Sequence, residues 1–274
     1  MALQVLEYAF MQRALVAAVL IGIAAPTVGI FLIQRRLSLI GDGLGHVALA
    51  GVAIGILTES APVWTALIAA TLGAVAIELI RTRGRTSGDV ALAILFYGGI
   101  AAGVVIISQA ESGTPANLNT YLFGAITTTT SGDLAVFVAL TLAVLVVTVG
   151  LGRYLFAVSN DEEFARATGL PVTAVNLTLA IVTAVTVVVS MRVVGLLLVS
   201  ALMIVPVATA QLVARSFAAT MVGGVGVGLI VSVTGVTTSF YADTPSGGTI
   251  VLIAVGLFAI TALVTGATRR RVTP

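Results

Sequence analysis

LSLIGDGLGHVALAGVAIGIL, residues 37–57, sets a carboxylate and the chain's single histidine inside an otherwise apolar run. Asp42 and His46 are four residues apart. On an α-helix that spacing puts both side chains on one face, one turn apart, where they can hold one ion together or hydrogen-bond each other. Gly41, Gly43, Gly45, Ala48, Ala50, Gly51, Ala53 and Gly55 surround them, small enough for other backbones or a passing ion to come close. The stretch reads as the wall of a pathway. The plainer alternative makes Asp42 a cap on the helix N-terminus and His46 its hydrogen-bonded neighbour. An ionisable side chain in lipid costs roughly 2.5–3.5 kcal/mol, so the pair is expected to face protein interior or water, and a functional role is the default.

The composition requires a membrane. Of 274 residues, 59% are hydrophobic and 9% charged, with a mean hydropathy of +1.17; soluble domains carry about 25% charge. Apolar runs of about 20 residues, enough to span a bilayer, lie near 12–33, 37–57, 62–81, 89–109, 133–151, 172–190, 193–214, 217–241 and 247–268. They predict an all-α integral membrane protein, one transmembrane domain over 1–274, with nine helices, or eight if 190–193 belongs to one broken segment. The first run is longer than the apolar core of a signal peptide and is read as a span.

All 13 basic residues are arginine, and arginine-rich loops stay cytoplasmic. With the N-terminus outside, the arginines at 35–36, 81–85, 153–166, 215 and 269–271 all fall on the cytoplasmic side, and only Arg13 and Arg192 do not. The C-terminus is then cytoplasmic and the number of spans odd. What is missing excludes chemistry. Without cysteine there is no disulfide or thiolate metal site, and without lysine no P-loop, so this chain does not hydrolyse nucleotide by itself. A lone histidine rules out an HExxH protease. The net charge of +2 is cytoplasmic arginine and implies no nucleic-acid partner.

Charges cluster only in GRYLFAVSNDEEFARATGLP, residues 152–171. Ser159 or Asn160 is expected to cap a helix of about two turns whose first turn holds Asp161, Glu162 and Glu163 against the positive end of the dipole. Arg166 lies in its last turn, and Gly169 followed by Pro171 stops it. Membrane-surface helices are usually basic; an acidic one suits a protein partner, with Phe164 as apolar anchor and the acids as steering charges. Glu78, one turn before Arg81, reads as an interfacial pair.

Four stretches together carry a resemblance: GDGLGHVALAGVAIG, NDEEFARATGLP, MRVVGLLLVSALMIVPVATAQL at 191–212 and ADTPSGGTIVL at 242–252. In this order the chain resembles the permease subunit of the metal-cation family of ABC importers, which carries zinc, manganese or iron. The resemblance implies a homodimeric permease in a prokaryotic inner membrane, two copies of a separate ATPase, and an extracytoplasmic metal-binding protein that delivers the ion. It also implies that Asp42 and His46 meet the metal and that 161–169 (Asp161, Glu162, Glu163, Phe164, Arg166 and Gly169) form the coupling helix seated in the ATPase. The family motif commonly has serine where Gly45 stands, so a third ligand must come from elsewhere.

In a two-fold dimer one patch faces its own copy, and two Asp42 and two His46 would make four ligands. Imidazole plus carboxylate suits zinc, manganese or ferrous iron; the four-ligand arrangement favours zinc, with manganese or iron as the alternative. The transported divalent metal is the only ion expected, and this chain holds no cofactor of its own. A stand-alone ion-coupled transporter would show inverted repeats, and no second GDGLGH exists. An intramembrane protease would need Ser38 or Ser200 beside His46, which nothing in the sequence requires.

Overall fold

The computed structural model describes residues 7–82, 88–109, 121–124, 130–191 and 194–270. Among them the chain is helical and no strand forms. α1 (Ala9–Gln34), α2 (Ile40–Leu57), α3 (Pro62–Thr82) and α4 (Gly88–Ser108) are followed by α5 (Ser131–Gly150) and α6 (Gly152–Asn160), which meet at 66°. The short α7 (Glu162–Ala167) leads to α8 (Val172–Met191), a 3₁₀ turn (Leu196–Leu198), α9 (Val199–Gln211), α10 (Phe217–Ala242) and α11 (Ser246–Arg270). Seven of these helices are long and apolar enough to cross a membrane, and the bent α5–α6 pair makes an eighth if it counts as one span.

The run 193–214, expected as a ninth full span, is not one. It contains the 3₁₀ turn and then only the 13 residues of α9, about 20 Å at 1.5 Å per residue. Gly195 causes the break: at φ 83° and ψ 148° it occupies a region open essentially to glycine, and a β-carbon there would collide with the backbone at Phe123 and Gly124. Gly247, at the start of α11, lies against Val194 and Leu198. After α9, Phe217 packs on Phe31 and Phe156, with ring centroids 5.5 and 4.8 Å apart.

Small residues set the helix packing. α1 and α10 run antiparallel, with Tyr8 and Phe10 against Phe240 at one end and Phe31 against Phe217 at the other. They cross where Gly22 meets Gly228; a β-carbon on Gly22 would lie 2.9 Å from the Gly228 carbonyl oxygen. In lipid, where apolar side chains gain little from meeting one another, such close backbone approach is what holds helices together.

α2 is wedged between two neighbours. A β-carbon on Gly51 would meet Ala66 Cα at 2.7 Å, and one on Gly99 would meet the His46 backbone at 2.8 Å. The order of contacts makes α3 antiparallel and α4 parallel to α2. The small residues around Asp42 and His46 serve close packing: Gly51 and Gly55 against α3, Gly43 against Leu92 of α4, Gly41 against Ser200 of α9 and Gly45 against Leu196 of the 3₁₀ turn. At the opposite extreme, α11 leaves Leu252, Ile260 and Leu263 exposed, an apolar surface suited to hydrocarbon.

Candidate functional site

Asp42 is the third residue of α2. The N-cap position is Leu39, and no side chain caps this helix, so the capping role allowed for Asp42 is not the one it takes. It is only partly buried and lines a cleft of about 390 Å³ with Leu39, Leu92, Ala93, Phe96 and Tyr97. One turn on, the His46 ring stands edge-on to Phe96, centroids 4.4 Å apart. Its Nδ1 is buried and has no hydrogen-bond partner. A buried nitrogen lone pair or N–H left unmatched costs about 1–3 kcal/mol, and its position beside a carboxylate gives an ion two donors of the right chemistry.

Among the described residues no three His, Cys, Asp or Glu side chains come together. Gly45 does not point toward the cleft: a β-carbon there would sit 3.4 Å from Leu196 Cγ. The aromatic wall from Phe96 and Tyr97 was not read from the sequence; the neighbouring Gly99 was a signal for it, since glycine at a close approach to the His46 backbone fixes which α4 residues face α2.

At the charged end the sequence reading holds in outline and changes in detail. α7 spans six residues, but its N-cap is Asp161 itself, whose carboxylate accepts from Phe164 N at 2.9 Å. Ser159 and Asn160, the expected caps, belong to the end of α6. Gly169 has φ 81°, and the helix closes with Gly169 N donating to Arg166 O (3.1 Å) and Leu170 N to Ala165 O (3.0 Å), the paired bonds of a Schellman motif. Phe164 is 67% exposed while Ala165 is fully buried, so α7 has one face on the bundle and another free.

The acids of α7 do not share one role. Glu162 points inward: its Oε2 lies 3.0 Å from Arg35 Nη2 and 3.2 Å from Arg81 Nη2, and its Oε1 lies 3.2 Å from Arg166 Nη2. It is therefore no free steering charge. Glu163 is exposed. Arg35, which follows α1, is held below the ordinary guanidinium pKa chiefly by burial and then by Arg81, while Glu162 and Glu78 pull it back up. Glu78 is nearly buried, 3.8 Å from Arg81, so it is part of this network rather than a pair reaching for the interface. The sequence reading did not connect Arg35 or Arg81 with Glu162, because they are 127 and 81 residues away from it in the chain.

The described residues form a polytopic helical bundle with a short helix at its charged end and an Asp–His pair one turn apart on α2. The profile of the ABC 3 transport family matches residues 7–265, and the chain belongs to that family. The manganese transport system membrane protein MntC of Halalkalibacterium halodurans is 34% identical over 257 residues, 94% of this chain and 88% of that one. The manganese import system permease protein ScaB of Streptococcus parasanguinis is 32% identical over 254 residues, covering 93% and 90%. Among solved structures, PsaBC from Streptococcus pneumoniae in complex with Fab matches with a TM-score of 0.84 at 30% identity, covering 96% of this chain and 95% of that one.

Proposed function

We propose that the chain is the metal-conducting permease subunit of an ABC importer and that its cargo is manganese. The observation that carries this is the Asp42–His46 pair: a carboxylate lining a cleft and, one turn away, an imidazole whose buried nitrogen has no partner in the protein. Carboxylate and imidazole suit manganese as well as zinc, and the manganese named for MntC and ScaB outweighs the coordination argument that favoured zinc. A sparse site also suits a carrier, because an ion held by two protein donors can leave.

In this reading two copies of the chain form the pathway, and the two Asp42–His46 pairs face one another across the dimer axis. Two copies of a separate ATPase supply the energy. They dock on the free face of α7, where Phe164 is the anchor and Glu163 a steering charge. An extracytoplasmic binding protein delivers the ion, the bundle sits in a prokaryotic inner membrane, and the arginine distribution puts the C-terminus in the cytoplasm. A C-terminal reporter active only outside the cell would overturn that orientation.

The test is ATP-driven uptake of radioactive manganese into vesicles holding the reconstituted transporter, with zinc and iron as competitors. Uptake in wild type that is lost in Asp42→Ala and His46→Ala supports the reading. Zinc uptake that exceeds manganese uptake, with no competition by manganese, reverses the choice of cargo. Full uptake in both variants removes the pair from the pathway.

A further inference from the structure

Glu162 is one carboxylate shared by three guanidiniums, and two of them are deeply placed: the Arg35 side chain is 6% exposed and that of Arg81 19%. Arg35 leads from α1 into α2 just ahead of Asp42, and Arg81 lies in the last turn of α3, whose packing on α2 runs through Gly51, Ala66 and Gly73. The two arginines thus belong to the segments that flank the ion-bearing helix. The backbone offers α7 no stiff alternative route to them. On one side Asp161 is extended, at φ −151°, and on the other Gly169 is left-handed, so both joints interrupt the helix.

We propose that Glu162 is a positioning residue that fastens α7 to the approach of α2 and the end of α3, so that a movement imposed on the free face of α7 reaches the Asp42–His46 pair. The two faces of this six-residue helix then do different work: Phe164 meets the partner, and Glu162 hands the motion inward. Removing the carboxylate leaves Arg35 without its ion-pair partner and Arg81 with Glu78 alone, 3.8 Å away, so that repulsion between the two guanidiniums drives the two segments apart. The inference rests on the importer reading above, and α7 is the only part of that reading it extends.

The experiment uses the whole transporter, permease with ATPase, in vesicles, and reads three quantities: ATPase co-purification, ATP hydrolysis, and manganese imported per ATP. For Glu162→Gln we expect co-purification within two-fold of wild type, continued hydrolysis, and at least a ten-fold fall in manganese per ATP. Glu162→Asp, which keeps the charge on a shorter stem, should recover part of the loss. Adding Arg35→Gln and Arg81→Gln to Glu162→Gln should cost nothing more, because changes within one linkage do not add. A wild-type manganese-to-ATP ratio in Glu162→Gln overturns the proposal. So does loss of ATPase matching that of Phe164→Ala, which would move Glu162 to the docking face. If Glu162→Gln does not fold, Arg81→Gln is judged by the same criteria. Absence of ATP-driven manganese import in wild type would instead strike the importer reading itself and take this inference with it.

Discussion

The interior pair on α2 and the charge cluster around α7 handle polar groups in opposite ways. On α2, His46 Nδ1 is buried without a partner and Asp42 opens on a cleft. Around α7, Glu162 meets three guanidiniums and Asp161 satisfies a backbone donor. Unspent hydrogen-bonding capacity inside an apolar bundle is costly, and His46 shares it with other buried groups, among them both polar atoms of Asn176 and Glu78 Oε1; what sets His46 apart is the carboxylate one turn away. Saturated ion pairs hold elements in place. The first arrangement suits an ion that must come and go, the second a joint that must not slip.

The largest effect should come from the unspent groups. Asp42→Ala and His46→Ala are each expected to lower manganese uptake at least 100-fold, about 2.7 kcal/mol at 1.36 kcal/mol per ten-fold. Neither should alter expression or ATPase co-purification, because His46 Nδ1 gives up no protein hydrogen bond when it is removed. If either variant instead fails to assemble, the pair is structural and the contrast between the two regions disappears. Next in size is Phe164→Ala: truncating an exposed aromatic anchor typically costs 2 kcal/mol or more at an interface, and should reduce ATPase co-purification about 30-fold while leaving the thermal stability of the isolated permease unchanged. A permease that keeps its ATPase without Phe164 docks by some other surface.

These two regions were also unequally legible. The pair could be read because an ionisable residue in an apolar run is conspicuous and its i,i+4 spacing is local. The C-terminal limit of α7 was readable for the same reason, since Gly169 marks the stop by local rules, whereas the N-cap fell on Asp161 and not on Ser159 or Asn160. The partners of Glu162 were not readable, because Arg35 and Arg81 reach it only through the packing of α1 and α3. The run at 193–214 could only be left open between nine spans and eight with a broken segment, because hydropathy is blind to backbone conformation. Only Gly195, at φ 83° against Phe123 and Gly124, marks the stop, and glycine is too common here to single out. The glycines near His46 allowed either close helix packing or room for an ion, and they are packed: Gly41 meets Ser200, Gly43 meets Leu92, Gly45 meets Leu196, and Gly99 of α4 meets the His46 backbone.

Gly99 tests that last point with an intermediate effect. A β-carbon at this position would lie 2.8 Å from the backbone carbon of His46 and the nitrogen of Val47, so α4 must move away from α2 to admit it. Gly99→Ala should cost about 1–3 kcal/mol, the usual range for forced overpacking, seen as a lower melting temperature in detergent. It should also reduce manganese uptake, though no ligand is changed. Normal uptake with lowered stability would show that the pair tolerates movement of α4.

The smallest effect belongs to Gly169, where only the backbone is at issue. A β-carbon there meets nothing within 4 Å, so any cost comes from the positive φ of 81°, about 1–2 kcal/mol for a residue with a side chain. Arg36 ends α1 in the same way, at φ 58° with Leu37 N bonded to Leu32 O at 2.9 Å, so a non-glycine residue is tolerated at this kind of cap. Gly169→Ala should therefore fold and assemble, with a melting temperature lowered by about 2–4 °C and manganese per ATP nearly unchanged. Gly169→Val adds a β-branch, which tolerates positive φ worse than alanine does. The Schellman bonds at Gly169 and Leu170 should then open and let α7 tilt about the Glu162 linkage. For that variant the expected readout is continued ATP hydrolysis with a reduced manganese-to-ATP ratio, smaller than the loss in Glu162→Gln because the ion pairs remain. If Gly169→Val equals Gly169→Ala in both stability and coupling, the orientation of α7 is set by Glu162 and Ala165 alone, and the cap only ends the helix.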